Sequence, residues 1–136
     1  MKKLKLIIVE NDQDEQFFMK EGINATGLFE LLEIVRNGNI LFEWLEENPG
    51  NLPDVILSDL NMPGKNGYDV ITELKASPLY SHIPVIITST AATNATIEKC
   101  TALGAAGYLI KPETFIDYGN FLQEMHKLIV EKQIVR

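Results

Sequence analysis

The chain has 136 residues, 46% of them apolar and 23% charged, a mix that suits one globular domain with room for a buried core. Its net charge of −7 works against any role based on attraction to phosphate backbones, so nucleic acid is not an expected partner. The apolar run after Lys2, Lys3 and Lys5 stops at Glu10, short of the ~7–15 residues of a signal-peptide core. Nothing approaches the ~20 apolar residues of a membrane span, and the expected setting is the cytoplasm.

Residues 4–9 read as a buried strand. Asp12 then reads as an N-cap with Glu15 at capping-box spacing, and Phe18, Met19 and Ile23 form one apolar helix face. A strand is predicted over 31–35 and a helix over 40–47, with Leu41, Phe42, Trp44 and Leu45 as its packed face. The run 54–58 is a third strand ending at Asp59. Asn66 opens a helix through Val70, Ile71 and Leu74 that closes before Pro78.

Residues 84–88 form a fourth strand, and 93–103 a helix capped by Gly104, with Cys100 as a small buried apolar residue. A short fifth strand follows at 107–110. The last helix carries Phe115, Tyr118, Leu122, Met125 and Ile129 at alternating spacings of three and four. Phe121, Leu128 and Val135 form a second set, read either as a wide core-facing stripe or as a partner surface. Five strands alternating with five helices predict a single α/β domain over 1–136, its parallel sheet covered on both faces. No output domain is expected, so any signal passes to a separate protein.

In such sheets ligands bind beyond the carboxyl ends of the strands, near the point where strand order reverses. The residues placed there are Glu10, Asn11 and Asp12, then Asp59, then Ser89 and Thr90, then Lys111. Singly, each reads as a cap or a loop residue; their joint placement is the signal. Two carboxylates ~4 Å apart repel by about 4 kcal/mol at an effective dielectric of ~20. A hard divalent cation with oxygen ligands offsets that repulsion, and Lys111 offsets part of it. The set suits phosphoryl transfer: a carboxylate as nucleophile, with cation, ammonium and hydroxyl each binding a phosphoryl oxygen. His82 and His126 have no second His or Cys at ligand spacing and read as surface residues.

Four blocks carry a family resemblance. They are Val9-Glu10-Asn11-Asp12; Ser58-Asp59-Leu60-Asn61-Met62-Pro63-Gly64-Lys65-Asn66-Gly67; Ile87-Thr88-Ser89-Thr90; and Gly104-Ala105-Ala106-Gly107-Tyr108-Leu109-Ile110-Lys111-Pro112. With 30 residues from Asp59 to Ser89 and 22 from Ser89 to Lys111, the chain resembles bacterial two-component receiver domains over essentially its whole length. The resemblance implies a (βα)5 flavodoxin-like, doubly wound five-stranded parallel sheet of order 2-1-3-4-5. It implies a response regulator of phosphorelay signal transduction, in which Asp59 accepts a phosphoryl group from a histidine kinase or phosphotransfer protein.

By the same resemblance Lys111 ion-pairs with the phosphoryl group, Ser89 is the switch hydroxyl, and Tyr108 is the aromatic that turns inward with it. Glu10, Asp59 and the backbone carbonyl of Asn61 hold Mg²⁺ or Mn²⁺, and the bond before Pro112 is cis. Such a chain modifies itself and turns over no metabolite. Partner binding, or a homodimer, uses the fourth helix, fifth strand and fifth helix. Residues 59–67 and Tyr80-Ser81-His82-Ile83-Pro84 look like a subgroup of single-domain regulators, some of which partner with phytochrome-type kinases.

One position departs from the pattern. Receivers place two acidic residues after the first strand, the second a direct metal ligand, and here the pair is Glu10-Asn11. An amide oxygen ligates Mg²⁺ only as a neutral dipole, so weaker metal binding and slower transfer are expected. Asp12 is open to two readings, substitute ligand or helix cap. Asn11 also motivates a rival function, a receiver-like binding module independent of phosphate. Flavin binding and haloacid-type phosphatase chemistry fit poorly: the first strand is followed by Glu10-Asn11-Asp12 rather than a hydroxyl- and glycine-rich loop, and Asn61 stands where the phosphatases need a second Asp.

Overall fold

A computed structural model describes residues 2–135. The elements are β1 (Leu4–Val9), α1 (Gln13–Thr26), β2 (Phe29–Val35), α2 (Gly38–Glu47), β3 (Val55–Asp59), α3 (Gly67–Ala76), β4 (Val85–Ser89), α4 (Asn94–Leu103), β5 (Gly107–Ile110) and α5 (Tyr118–Glu131). All strand pairs are parallel, in the order β2-β1-β3-β4-β5, as the resemblance implied. Among the described residues no helix is long and apolar enough to cross a membrane.

The central strands are apolar on both faces because helices cover both. In β1, Ile7 and Val9 face a core with Leu41 and Leu45 of α2, Val70, Ile71 and Leu74 of α3, and Cys100 of α4. The alternate residues Leu6 and Ile8 face Met19 and Ile23 of α1 and Leu122, Met125 and Ile129 of α5. This period-two division makes the register unforgiving, since a one-residue slip exchanges the two cores. Trp44 packs against the first core, and Leu128 and Val135 against the second, where Phe121 is also buried. The second apolar set is therefore core-facing, although Val135 lies beyond the end of α5 rather than on the helix.

Two element boundaries and one peptide-bond isomer depart from expectation in ways that packing explains. Strand β2 begins at Phe29 rather than 31, because Phe29 pairs with Leu4 and is buried on the α1 side. A 3₁₀ turn over Phe115–Asp117 precedes α5, so the regular helix starts at Tyr118. The side chain of Phe115 lies outside the described residues. The Lys111–Pro112 bond is trans, with no cis peptide among the described residues, which corrects the expected cis bond. The intrinsic trans preference of an X–Pro bond is only about 0.5–1 kcal/mol, so local packing decides the isomer, and family likeness does not carry it over.

Caps fix the helix starts next to the strand ends. The Asn66 side chain accepts the Asp69 N–H while Asp69 accepts the Asn66 N–H, a closed capping box for α3. Gly67 then packs against the end of β3, its N–H donating to the Leu60 carbonyl at 2.9 Å. A Cβ at Gly67 would stand 2.8 Å from Leu60 Cα and 2.9 Å from the Asp59 carbonyl oxygen, both backbone atoms. Gly67→Ala is expected to lower the unfolding free energy by about 1–3 kcal/mol in urea titration, whereas Gly50→Ala, which meets open space, stays within about 0.5 kcal/mol. Equal effects at the two positions would contradict this packing.

Candidate phosphoryl-acceptor site

Strand ends deliver the site. Glu10 follows β1, its N–H held by the Val35 carbonyl at 2.8 Å, and Asp59 closes β3 opposite Thr88. Ser89 closes β4, and its carbonyl accepts the Lys111 N–H at 2.8 Å. Because β1 and β3 are neighbours while the chain first crosses to β2, these residues meet at the switch point of the sheet.

One ammonium organises them. Lys111 Nζ lies 2.8 Å from Glu10 Oε1, 2.6 Å from Glu15 Oε2 and 3.3 Å from Asp59 Oδ2. Glu10 is 1% exposed, Asp59 7%, Ser89 4% and Lys111 8%, so the charges interact with little screening. Burial pushes Glu10 up to about 8, with Glu15 and Asp59 adding to the rise and Lys111 opposing it. Burial also raises Asp59, against Lys111 and the Asn61 backbone N–H, which donates to its carboxylate. Burial alone would lower Lys111, but hydrogen bonds to Glu10 and Glu15 outweigh it and hold the ammonium charged.

Glu15 is the member that sequence reasoning assigned elsewhere. Asp12 does cap α1, accepting the Glu15 N–H at 2.9 Å, so its cap reading holds. Glu15, however, turns away from the capping box toward Lys111, and the Asp12 N–H is taken by Glu10 Oε2 at 3.2 Å instead. The usable signal was an acidic residue in the first turn of the helix that starts at the edge of the site. Asn11 is exposed and lines a shallow depression with Gln13, Gln16, Ile34, Val35, Arg36 and Ile40.

Oxygen atoms of Glu10, Glu15 and Asp59 all lie within 4.8 Å of one another. Hard carboxylate oxygens, with two surplus negative charges over Lys111 once Glu10 gives up its proton, are the donor set that Mg²⁺ or Mn²⁺ takes. The hydroxyl arm is linked to β5: Ser89 Oγ accepts the Ala91 N–H at 3.4 Å, and the Tyr108 hydroxyl donates to the Ala91 carbonyl at 2.8 Å. Thr90 is exposed, as is His82, and Cys100 is a buried free thiol. His126 rests edge-on against Phe29.

The raised Glu10 has a direct consequence. Between its ordinary value of 4.5 and about 8 the folded chain holds a proton that the unfolded chain has lost, so this group's contribution to stability falls as pH rises. Without divalent cations, the melting temperature of Glu10→Gln relative to wild type is expected to climb from about pH 5 to about pH 8. A flat difference across that range would contradict a buried, proton-favouring Glu10.

Residues 6–119 match the family model of the response regulator receiver domain. The chain is 39% identical over 69 residues to the two-component response regulator ORR12 of rice (Oryza sativa subsp. japonica), which is 51% of this chain and 57% of that protein. It therefore spans little more than half of that relative. Its structure is similar to that of the phosphorylated cyanobacterial phytochrome response regulator RcpA, with a TM-score of 0.82, 25% identity and 95% of each chain covered. It is likewise similar to the Mn²⁺-bound form of response regulator Rcp1, with a TM-score of 0.78, 25% identity and coverage of 91% of this chain and 92% of that one. Receiver domains are phosphorelay signalling switches rather than metabolic enzymes, and they bind Mg²⁺ or Mn²⁺ at an acidic cluster. With four strand ends meeting at the switch point of a 2-1-3-4-5 sheet and the family match spanning most of the sequence, the chain belongs to the response regulator receiver domain family.

Proposed function

We propose that this chain is a phosphorelay switch whose Asp59 accepts a phosphoryl group from a phosphohistidine on a histidine kinase or phosphotransfer protein. The observation that carries the reading is the buried Asp59 carboxylate 3.3 Å from the Lys111 ammonium, beside two further carboxylates of a cation-type donor set. In the transfer an Asp59 carboxylate oxygen bonds to phosphorus as the P–N bond breaks. The electron pair leaves with the imidazole, which takes up a proton. Glu10, Asp59 and the Asn61 backbone carbonyl would hold a divalent cation, which would supply charge neutralisation at the phosphoryl oxygens.

The chain's own residues do the rest. Lys111 moves from its carboxylates to a phosphoryl oxygen, and the Ser89 hydroxyl donates to another. The phosphoryl group carries a charge of about −1.5 to −2 in place of the −1 of the Asp59 carboxylate, a net gain of about −0.5 to −1 spread over three strong acceptor oxygens. Reorienting Ser89 gives up its contact with the Ala91 N–H and loosens the Tyr108 tether on the same residue. Those rearrangements bias α4, β5 and α5 between two states and so regulate binding of a separate downstream protein. The exposed Ile110, at the end of β5, offers that partner an apolar contact. Likeness to the phytochrome response regulator RcpA supports a phytochrome-type histidine kinase as the donor class, and the cytoplasm is the setting of this reading. A homodimer through the same face is a further part of this reading.

A phosphate-independent binding module is favoured by one observation, Asn11, and opposed by the carboxylate that Glu15 adds. Intact mass after incubation with Mg²⁺ and acetyl phosphate, or with a cognate phosphohistidine donor, separates the two. One phosphoryl adduct is expected on the wild type and none on Asp59→Asn, while Lys111→Ala is expected to react about 100-fold more slowly. No adduct from either donor would rule out the phosphorylation switch, and an adduct that survives in Asp59→Asn would move the acceptor elsewhere.

A further inference from the structure

The acidic charge that Asn11 leaves out of the loop after β1 reappears four residues later, on the first turn of α1. We infer that Glu15 supplies the third carboxylate of the cation site in place of an acidic residue at 11. This rests on reading the pocket as a cation-assisted phosphoryl site.

Three observations support the assignment. First, Glu15 is released from local duty. The α1 N-terminus is satisfied by the Asp12 side chain, and the Asp12 N–H by Glu10 Oε2, so the Glu15 carboxylate has no part in the capping box. A glutamate in the first helical turn ordinarily extends into water, but this side chain is only 16% exposed and bonds a buried ammonium at 2.6 Å.

Second, the reach is right. One cation with oxygen ligands at ~2.1 Å spans opposite ligands up to ~4.2 Å apart, and the Glu10, Glu15 and Asp59 oxygens lie within 4.8 Å of one another, so side-chain shifts of about 0.6 Å or less would bring all three onto one ion. Third, the charge count is right. Once a bound cation displaces the Glu10 proton, three carboxylates against Lys111 leave two negative charges, the number a divalent cation neutralises, whereas Glu10 and Asp59 alone would leave one. The similarity to Mn²⁺-bound Rcp1 points independently to such an ion in this fold. Asn11, by contrast, is exposed among residues outside the cluster.

The test is Mn²⁺ binding to the unphosphorylated full chain, read from loss of the free-ion electron paramagnetic resonance signal. The variants are Glu15→Gln, Glu15→Asp, Asn11→Asp and the double variant Asn11→Asp/Glu15→Gln, each checked by circular dichroism. Glu15→Gln is expected to weaken binding about 10-fold or more. Glu15→Asp, which keeps the charge on a shorter arm, is expected to fall in between. The double variant is expected to recover to within about threefold of wild type, because Asp at 11 restores the missing charge.

Glu15→Gln binding within about twofold of wild type would overturn the assignment, as would a double variant as weak as Glu15→Gln alone. A wild type that binds no Mn²⁺ would instead overturn the cation reading beneath it. Should Glu15→Gln fail to fold, Glu15→Asp against Asn11→Asp/Glu15→Asp makes the same comparison.

Discussion

The ammonium of Lys111, within 3.3 Å of Glu10, Glu15 and Asp59, is the interaction on which the site depends. Removing one partner from a buried ion pair typically costs about 3–5 kcal/mol, and here one cation serves three anions that repel one another. The cluster is thus held together and left under-neutralised at the same time. That is a useful condition for a switch. A second cation is attracted by the surplus negative charge, and a phosphoryl group on Asp59 gives Lys111 a new and stronger acceptor.

The sheet makes this charge density possible. A carboxylate at the end of one strand is ordinarily solvated, but parallel order 2-1-3-4-5 sets the ends of β1, β3, β4 and β5 side by side under flanking helices. Apolar residues on both faces of β1 and β3 fix the register, and the register fixes which residue arrives at the rim. Gly67 shows how tight the frame is, since α3 starts against the backbone of Asp59 and Leu60 with no space for a Cβ. The core therefore positions the chemistry without taking part in it.

Most of this was legible in the residues. Strand ends read from apolar runs placed Glu10, Asp59, Ser89 and Lys111 together, because period and length constrain buried strands strongly. Family likeness then supplied strand order, which local patterns do not encode. What escaped was side-chain direction. Asp12 and Glu15 have the spacing of a capping box, yet a long-range ion pair to Lys111, 96 residues away, outcompetes a local hydrogen bond for Glu15. The isomer before Pro112 escaped for a related reason: its small intrinsic bias is decided by packing. The start of β2 at Phe29 likewise depends on its neighbours, Leu4 across the sheet and the α1–α5 core beneath.

The central claim is that phosphorylation transfers the Lys111 ammonium from carboxylates to a phosphoryl oxygen. Nitrogen-15 NMR of the lysine side chains and carbon-13 NMR of the glutamate carboxyl groups, recorded before and after phosphorylation in Mg²⁺, test it directly. The account predicts a Lys111 Nζ resonance that is protected in the resting chain and shifts in step with the phosphorylated fraction, together with a shift of the Glu15 side-chain carboxyl carbon. A Lys111 resonance unchanged in a chain shown to carry the phosphoryl group would contradict it.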